Sequence, residues 1–229
     1  MLAENEKKKL FDDWPEAYDR WFTTTIGALV KRYEWELLQD LLRPAQGETI
    51  LDAGCGTGVF TSDILSSGSH VIGLDISLPM LRRARQKIRG HPFSMVAGDL
   101  LRLPFPENSF DKVVSVTALE FIEDARGAFQ ELFRATKKGG YVVAATLNSL
   151  SSWAVHRKAE SQMKDTLFTR AIFRSPDELR SLIPIEGLIK TAIHFQKEDD
   201  PHRASEIELE GHKRGLETGA FVAGRWEKL

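Results

Sequence analysis

Apolar positions recur at helical spacing in the first part of the chain. Trp14, Tyr18, Trp21 and Phe22 form one stripe, and residues 10–42 read as helical and rich in aromatics. Residues 1–9 are polar and expected to fray. Arg43-Pro44-Ala45-Gln46-Gly47 then interrupts the pattern as a loop. From residue 48 the pattern changes to short apolar runs that alternate with helical segments. Residues 49–53, 70–75, 92–97, 110–116 and 141–147 read as strands. Residues 60–65, 78–89 and 125–136 read as helices, with Gly68 and Gly90 as stops, Asp124 as an N-cap and Gly139-Gly140 closing the last. Continuous apolar strands alternating with helices predict an α/β fold with a parallel sheet covered on both faces.

After Asn148 the alternation lapses. Residues 149–174 carry Trp153, His156, Met163, Phe168 and Phe173 among polar residues. Ser175-Pro176-Asp177-Glu178 has the Ser and Glu of a capping box with proline in the first turn. Residues 188–196 and 219–226 alternate as a closing pair of strands, joined by a polar segment with a short helical pattern near 204–213.

The chemistry concentrates in Ile50-Leu51-Asp52-Ala53-Gly54-Cys55-Gly56-Thr57-Gly58. A buried strand stops, glycines follow at alternate positions, and a helix starts. Glycine lets the backbone take positive φ and lets a ligand approach the main chain. The free N–H groups of the helix favour an anion there. A dinucleotide turn needs a small residue at its third position, where this chain has Val59; a dinucleotide oxidoreductase is disfavoured. The next strand ends supply Asp75, a carboxylate able to accept both hydrogen bonds of a ribose diol, and Gly98-Asp99-Leu100, a carboxylate and an apolar side chain for an adenine. The fourth ends in Thr117-Ala118-Leu119-Glu120-Phe121. Cys55 reads as a small packing residue, although a helix N-terminus would lower its pKa.

Composition narrows the classes. The 229 residues carry a net charge of −2, so no basic field draws nucleic acid. Cys55 is the single cysteine, which rules out a disulfide within the chain. No run approaches a membrane span, and the N-terminus lacks a signal-peptide pattern. A cytoplasmic location is expected. The six histidines show no ligand spacing, so no metal is expected.

From residue 48 to 147 the chain resembles the class I S-adenosylmethionine (SAM)-dependent methyltransferases, and most of all the group that includes the ubiquinone and menaquinone C-methyltransferases. The landmarks are Asp52-Ala53-Gly54-Cys55-Gly56-Thr57-Gly58, Gly73-Leu74-Asp75-Ile76-Ser77, Gly98-Asp99-Leu100, Ser109-Phe110-Asp111 and Lys138-Gly139-Gly140. The resemblance implies a Rossmann-like, doubly wound sheet of seven strands, the seventh antiparallel, with SAM as cofactor. It implies that Gly54, Gly56 and Gly58 line the methionine moiety, Asp75 binds the ribose, and Asp99 with Leu100 frames the adenine. Cys55, Ile76 and Thr117 join the cofactor site, and Tyr18, Trp21 and Phe22 cover it. Asp52 either contacts the cofactor or orients the glycine turn through backbone N–H bonds.

The implied organisation is one methyltransferase domain, with 1–45 as a helical cover, 46–147 as the SAM-binding core and 148–229 as a lid insertion and closing strands. Its reaction is methyl transfer to a small-molecule acceptor. Methylation of a protein or RNA, or SAM binding without catalysis by a regulatory protein, are the alternatives. At Glu120-Phe121 the chain departs from the His-His pair of many quinone methyltransferases, which argues against a quinone. Glu120 is a candidate general base or binder of a cationic substrate; the alternative is a solvated residue at a helix entry beside Glu123 and Asp124. The oligomeric state, monomer or homodimer, is left open.

Overall fold

The computed structural model describes residues 10–164 and 166–229; the expectation for residues 1–9 lies outside them. Two helices lead the fold, α1 (Pro15–Trp21) and α2 (Thr25–Leu42). The break between them is built locally. The Thr24 side chain accepts from the Gly27 N–H, and a Cβ at Gly27 would sit 2.0 Å from the Trp21 carbonyl oxygen.

Strand and helix then alternate through β1 (Thr49–Ala53), α3 (Thr61–Leu65), β2 (His70–Asp75), α4 (Leu78–Lys87), β3 (Phe93–Ala97), β4 (Phe110–Val116), α5 (Ala125–Ala135) and β5 (Thr136–Leu147). The last part holds α6 (Ser152–Met163), α7 (Pro176–Arg180), β6 (Leu188–Ala192), α8 (Pro201–Lys213) and β7 (Phe221–Glu227). The seven strands form one sheet in the order β3-β2-β1-β4-β5-β7-β6. All neighbours are parallel except β7, which runs antiparallel to both β5 and β6.

Successive side chains of a strand point to opposite faces, and both faces are buried. Ile50, Val114, Val143 and Ala223 pack under α2, while Leu51, Val113, Val142 and Val222 pack against Phe129 and Leu132 of α5. The reversal of strand order between β1 and β4 opens a crevice at the carboxyl ends of the strands, where open α/β sheets bind ligands. The caps at Asp124 and Ser175 form as the sequence predicts.

Two expectations need correction. Gly139-Gly140 does not close α5, which ends at Ala135; the pair lies inside β5, where Gly139 takes φ +73° and its N–H donates to the Lys228 carbonyl. Residues 149–174 are not irregular throughout, because α6 and a 3-10 turn at Leu167–Arg170 occupy most of them. Among the described residues no helix is long and apolar enough to cross a membrane.

Candidate functional site

A cavity of about 470 Å³ opens at the carboxyl ends of the central strands. Its floor is the turn after β1. The Gly54 and Cys55 N–H groups both donate to the Leu74 carbonyl, at 2.7 and 3.0 Å. Gly54, Gly56 and Gly58 have φ of +83°, +53° and +74°. A Cβ at Gly54 would come within 2.5 Å of the Ala118 Cβ, whereas at Gly56 it would meet open space. Gly54 and Gly56 line the cavity and Gly58 does not. Gly58 instead faces the end of α4, where a Cβ would lie 2.6 Å from Ile88 Cδ1. In the structure Gly58 packs against α4 rather than lining the cavity.

Asp75 fixes the turn. One carboxylate oxygen accepts the Gly56 N–H and the other the Ser77 N–H, each at 2.8 Å. Each oxygen has a second lone pair, and the side chain faces the cavity. Burial raises its pKa, and the N–H bonds from Ser77 and Gly56 oppose that rise. Asp52 does not orient the turn: it accepts from the Thr61 hydroxyl at 2.5 Å and faces the cavity. Burial pushes it up to about 7.

Ile76, Asp99, Leu100 and Thr117 also line the cavity. Exposed Asp99 accepts from the Leu101 N–H at 2.9 Å, and Thr117 holds φ +47°. The Cys55 thiol lines the cavity too, but burial raises its pKa, with Asp52 and Asp75 adding to the rise. A thiol activated by the helix end is not what forms.

The aromatic stripe at the N-terminus covers this floor. Tyr18, Trp21 and Phe22 line the cavity and pack on the core together. Asp19 latches α1 down. It accepts from Thr57 Oγ1 at 2.6 Å, and from Lys87 Nζ and Arg83 Nε at 2.7 Å. Burial opposes ionisation of Asp19, yet the bonds from Lys87, Thr57 and Arg83 hold its pKa below the ordinary value.

The far end of the cavity is assembled from distant parts of the chain. Trp153, His156, Arg157 and Glu160 of α6 line it. Trp153 meets Trp21 edge to face, with ring centroids 6.4 Å apart, and its indole N–H donates to the Phe195 carbonyl. Glu120 is fully buried, so it is not a solvated helix-entry residue. One of its oxygens accepts from the Thr146 hydroxyl at 3.2 Å; the other, Oε1, has no partner among the described residues. Burial pushes Glu120 up to about 7.

Glu34 of α2 lines the same space, and burial pushes it up to about 8, with Glu120 adding to the rise. Sequence reasoning missed Glu34. The signal was present, because Glu34 interrupts the apolar face made by Val30, Leu37, Leu38 and Leu41.

The residues gathered at the floor fit SAM. The positive-φ glycine turn leaves open space at Gly56, Asp75 keeps lone pairs toward the cavity, and Leu100 and Ile76 offer apolar surface beside Asp99.

A family model described as a methyltransferase domain matches residues 51–144. The chain is 32% identical over 171 residues to the demethylmenaquinone methyltransferase of Clavibacter sepedonicus, covering 72% of this chain and 69% of that protein. It is 33% identical over 175 residues to that of Streptomyces avermitilis, covering 75% and 69%. Its backbone matches a SAM-dependent methyltransferase from Thermotoga maritima, described as a possible histamine N-methyltransferase. The TM-score is 0.73 and the identity 25%, over 97% of this chain and 99% of the other.

Proposed function

We propose, from the premise that this chain belongs to the class I SAM-dependent methyltransferases, that its acceptor is a small, largely apolar molecule held between α6 and Glu120. SAM, its cofactor, supplies when bound a methyl group carried on a positively charged sulfur. In our reading the chain is one domain, in which the 46–147 core holds SAM, and the 1–45 cover and the 148–229 part enclose the acceptor. Gly54 and Gly56 give the ligand access to the main chain. Asp75 takes the ribose hydroxyls, and Asp99 with Leu100 takes the adenine. Tyr18 and Trp21 keep water out.

The observation that carries the reading is the continuity of the cavity. One concave space runs from the glycine turn to Trp21, Trp153 and Phe168. A concave space of about 470 Å³ lined by aromatic side chains suits a small molecule held in near-attack geometry. A macromolecule would need an open approach and, for RNA, basic surface. We place the enzyme in the cytoplasm, in keeping with its single cysteine.

Release of S-adenosylhomocysteine (SAH) tests the reading. The protein is incubated with SAM and either a deproteinised small-molecule extract or RNA and basic protein. SAH release with the small-molecule fraction alone is expected. Release only with the macromolecules would overturn the small acceptor. Tight SAM binding with no release in any fraction would favour a regulatory SAM-binding protein.

A further inference from the structure

We propose that the acceptor is an amine, its nitrogen bound by the carboxyl groups of Glu34 and Glu120 within a ring of aromatic side chains. The assignment rests on the reading of this cavity as the acceptor site of a methyltransferase.

Two buried carboxyl groups face one chamber. Glu34 is 5% exposed and Glu120 0%. Among the described residues Glu120 Oε1 is buried with no hydrogen-bond partner, while the Glu34 carboxyl accepts no protein hydrogen bond and opens onto the cavity. A buried carboxyl oxygen without a donor is costly, and the second carboxyl in the same cavity adds to the cost by its charge. Neither side chain holds the fold together by a bond that the structure displays, apart from the single Thr146 contact.

The two arginines nearby do not fill the role. Arg174 is committed to the carbonyls of Leu119, Ile122 and Ile172. Arg157 stands over Phe168 and Trp153, at 4.5 and 5.3 Å from the ring centroids, and among the described residues no ion pair joins it to either glutamate. Its field reaches both carboxyls, but it gives neither a donor. The missing partner has to come with the ligand.

An amine matches this chamber better than an alcohol. An ammonium brings a positive charge and up to three donors, enough for two carboxyl groups. A hydroxyl brings one donor and no charge. The aromatic faces favour a cation as well, and Arg157 already shows a cation resting on two of them. An ammonium nitrogen has no free electron pair. To become a nucleophile it must lose a proton: the N–H bond breaks, its electron pair stays on nitrogen, and the proton passes to Glu120 Oε1. The same carboxyl that recognises the amine thus receives its proton.

Calorimetry on the full chain loaded with SAH tests the assignment. The probes are benzylamine, 2-phenylethylamine and tryptamine, each against its alcohol counterpart: benzyl alcohol, 2-phenylethanol and tryptophol. At least one amine is expected to bind about 10-fold or more tightly than its alcohol. Glu34→Gln and Glu120→Gln are each expected to remove that preference. The affinity of Glu34→Gln for SAH is expected to stay within about threefold of wild type, since Glu34 makes no hydrogen bond to the glycine turn; this guards against a folding defect.

Alcohols that bind as well as amines would overturn the amine assignment. So would the failure of every amine to bind, or an unchanged preference in both variants. All three outcomes leave the methyltransferase reading standing. Failure of the wild-type protein to bind SAH and SAM would overturn that reading itself.

Discussion

The two ends of the cavity are built on opposite terms. At the glycine turn each carboxylate that faces the ligand space already has a protein partner. Asp75 holds two backbone N–H groups, Asp52 holds the Thr61 hydroxyl, and Asp99 holds the Leu101 N–H. At the α6 end Glu34 has no donor among the described residues, and Glu120 keeps one oxygen bare. The first end is made from adjoining strand–turn–helix units, so local geometry fixes it before any ligand arrives. The second draws on α2, the turn after β4 and α6, far apart in sequence. A satisfied site is pre-organised and generic for its ligand. An unsatisfied one discriminates, because only a ligand with the matching donors relieves the cost of burial.

Substitutions can break or sharpen that contrast. The largest effect belongs to Asp75→Ala. It removes the proposed ribose acceptor and strands the Gly56 and Ser77 N–H groups, so calorimetry should show SAH affinity falling by about 100-fold or more. Next comes Glu120→Gln. It should lower turnover by about 100-fold while SAH affinity, measured in the same preparation, moves by no more than about threefold. Equal losses in both would erase the boundary between the two ends.

Glu34→Gln should act on stability. The folded pKa of Glu34 lies near 8 against an ordinary value of 4.5. A group with a raised pKa supports the fold fully below its unfolded value, and that support is lost as pH rises toward the folded value. Removing the carboxyl should therefore change little near pH 4 and stabilise the protein by on the order of 2 kcal/mol at pH 8. Urea melts at the two pH values would show it, and a variant less stable at pH 8 would contradict it. The smallest effect belongs to the latch. Asp19→Ala should speed SAH dissociation by about threefold, and added salt should shrink the difference, since the Asp19 pairs are partly exposed.

Legibility in the sequence follows the same divide. The strands, the glycine turn and the ligand-facing carboxylates Asp75 and Asp99 could be read because each depends on a few consecutive residues. Gly58 could not be told from Gly54 and Gly56, because its neighbour Ile88 reaches it only through the packing of α4. Cys55 is the packing residue that the sequence suggested, and burial beside two carboxylates, which no local pattern announces, overrides the pKa-lowering effect of a helix N-terminus. Gly139-Gly140 resembled a helix stop and proved to be a distortion in β5. Trp153 and Ala154 are the buried residues of α6, too few to impose a periodic pattern, although Ser151 does cap the helix. Glu34 was the avoidable omission, a charge on the apolar face of an otherwise regular helix.

The central claim is that the glycine turn and Asp75 form a finished SAM site before any ligand binds. Calorimetric titration of the wild-type protein with SAM, SAH and NAD tests it most directly. The account predicts one site per chain for SAM and for SAH, with Kd of about 1 to 100 µM, and no heat with NAD. A folded protein that binds neither adenosyl ligand, or that binds NAD equally well, would contradict it.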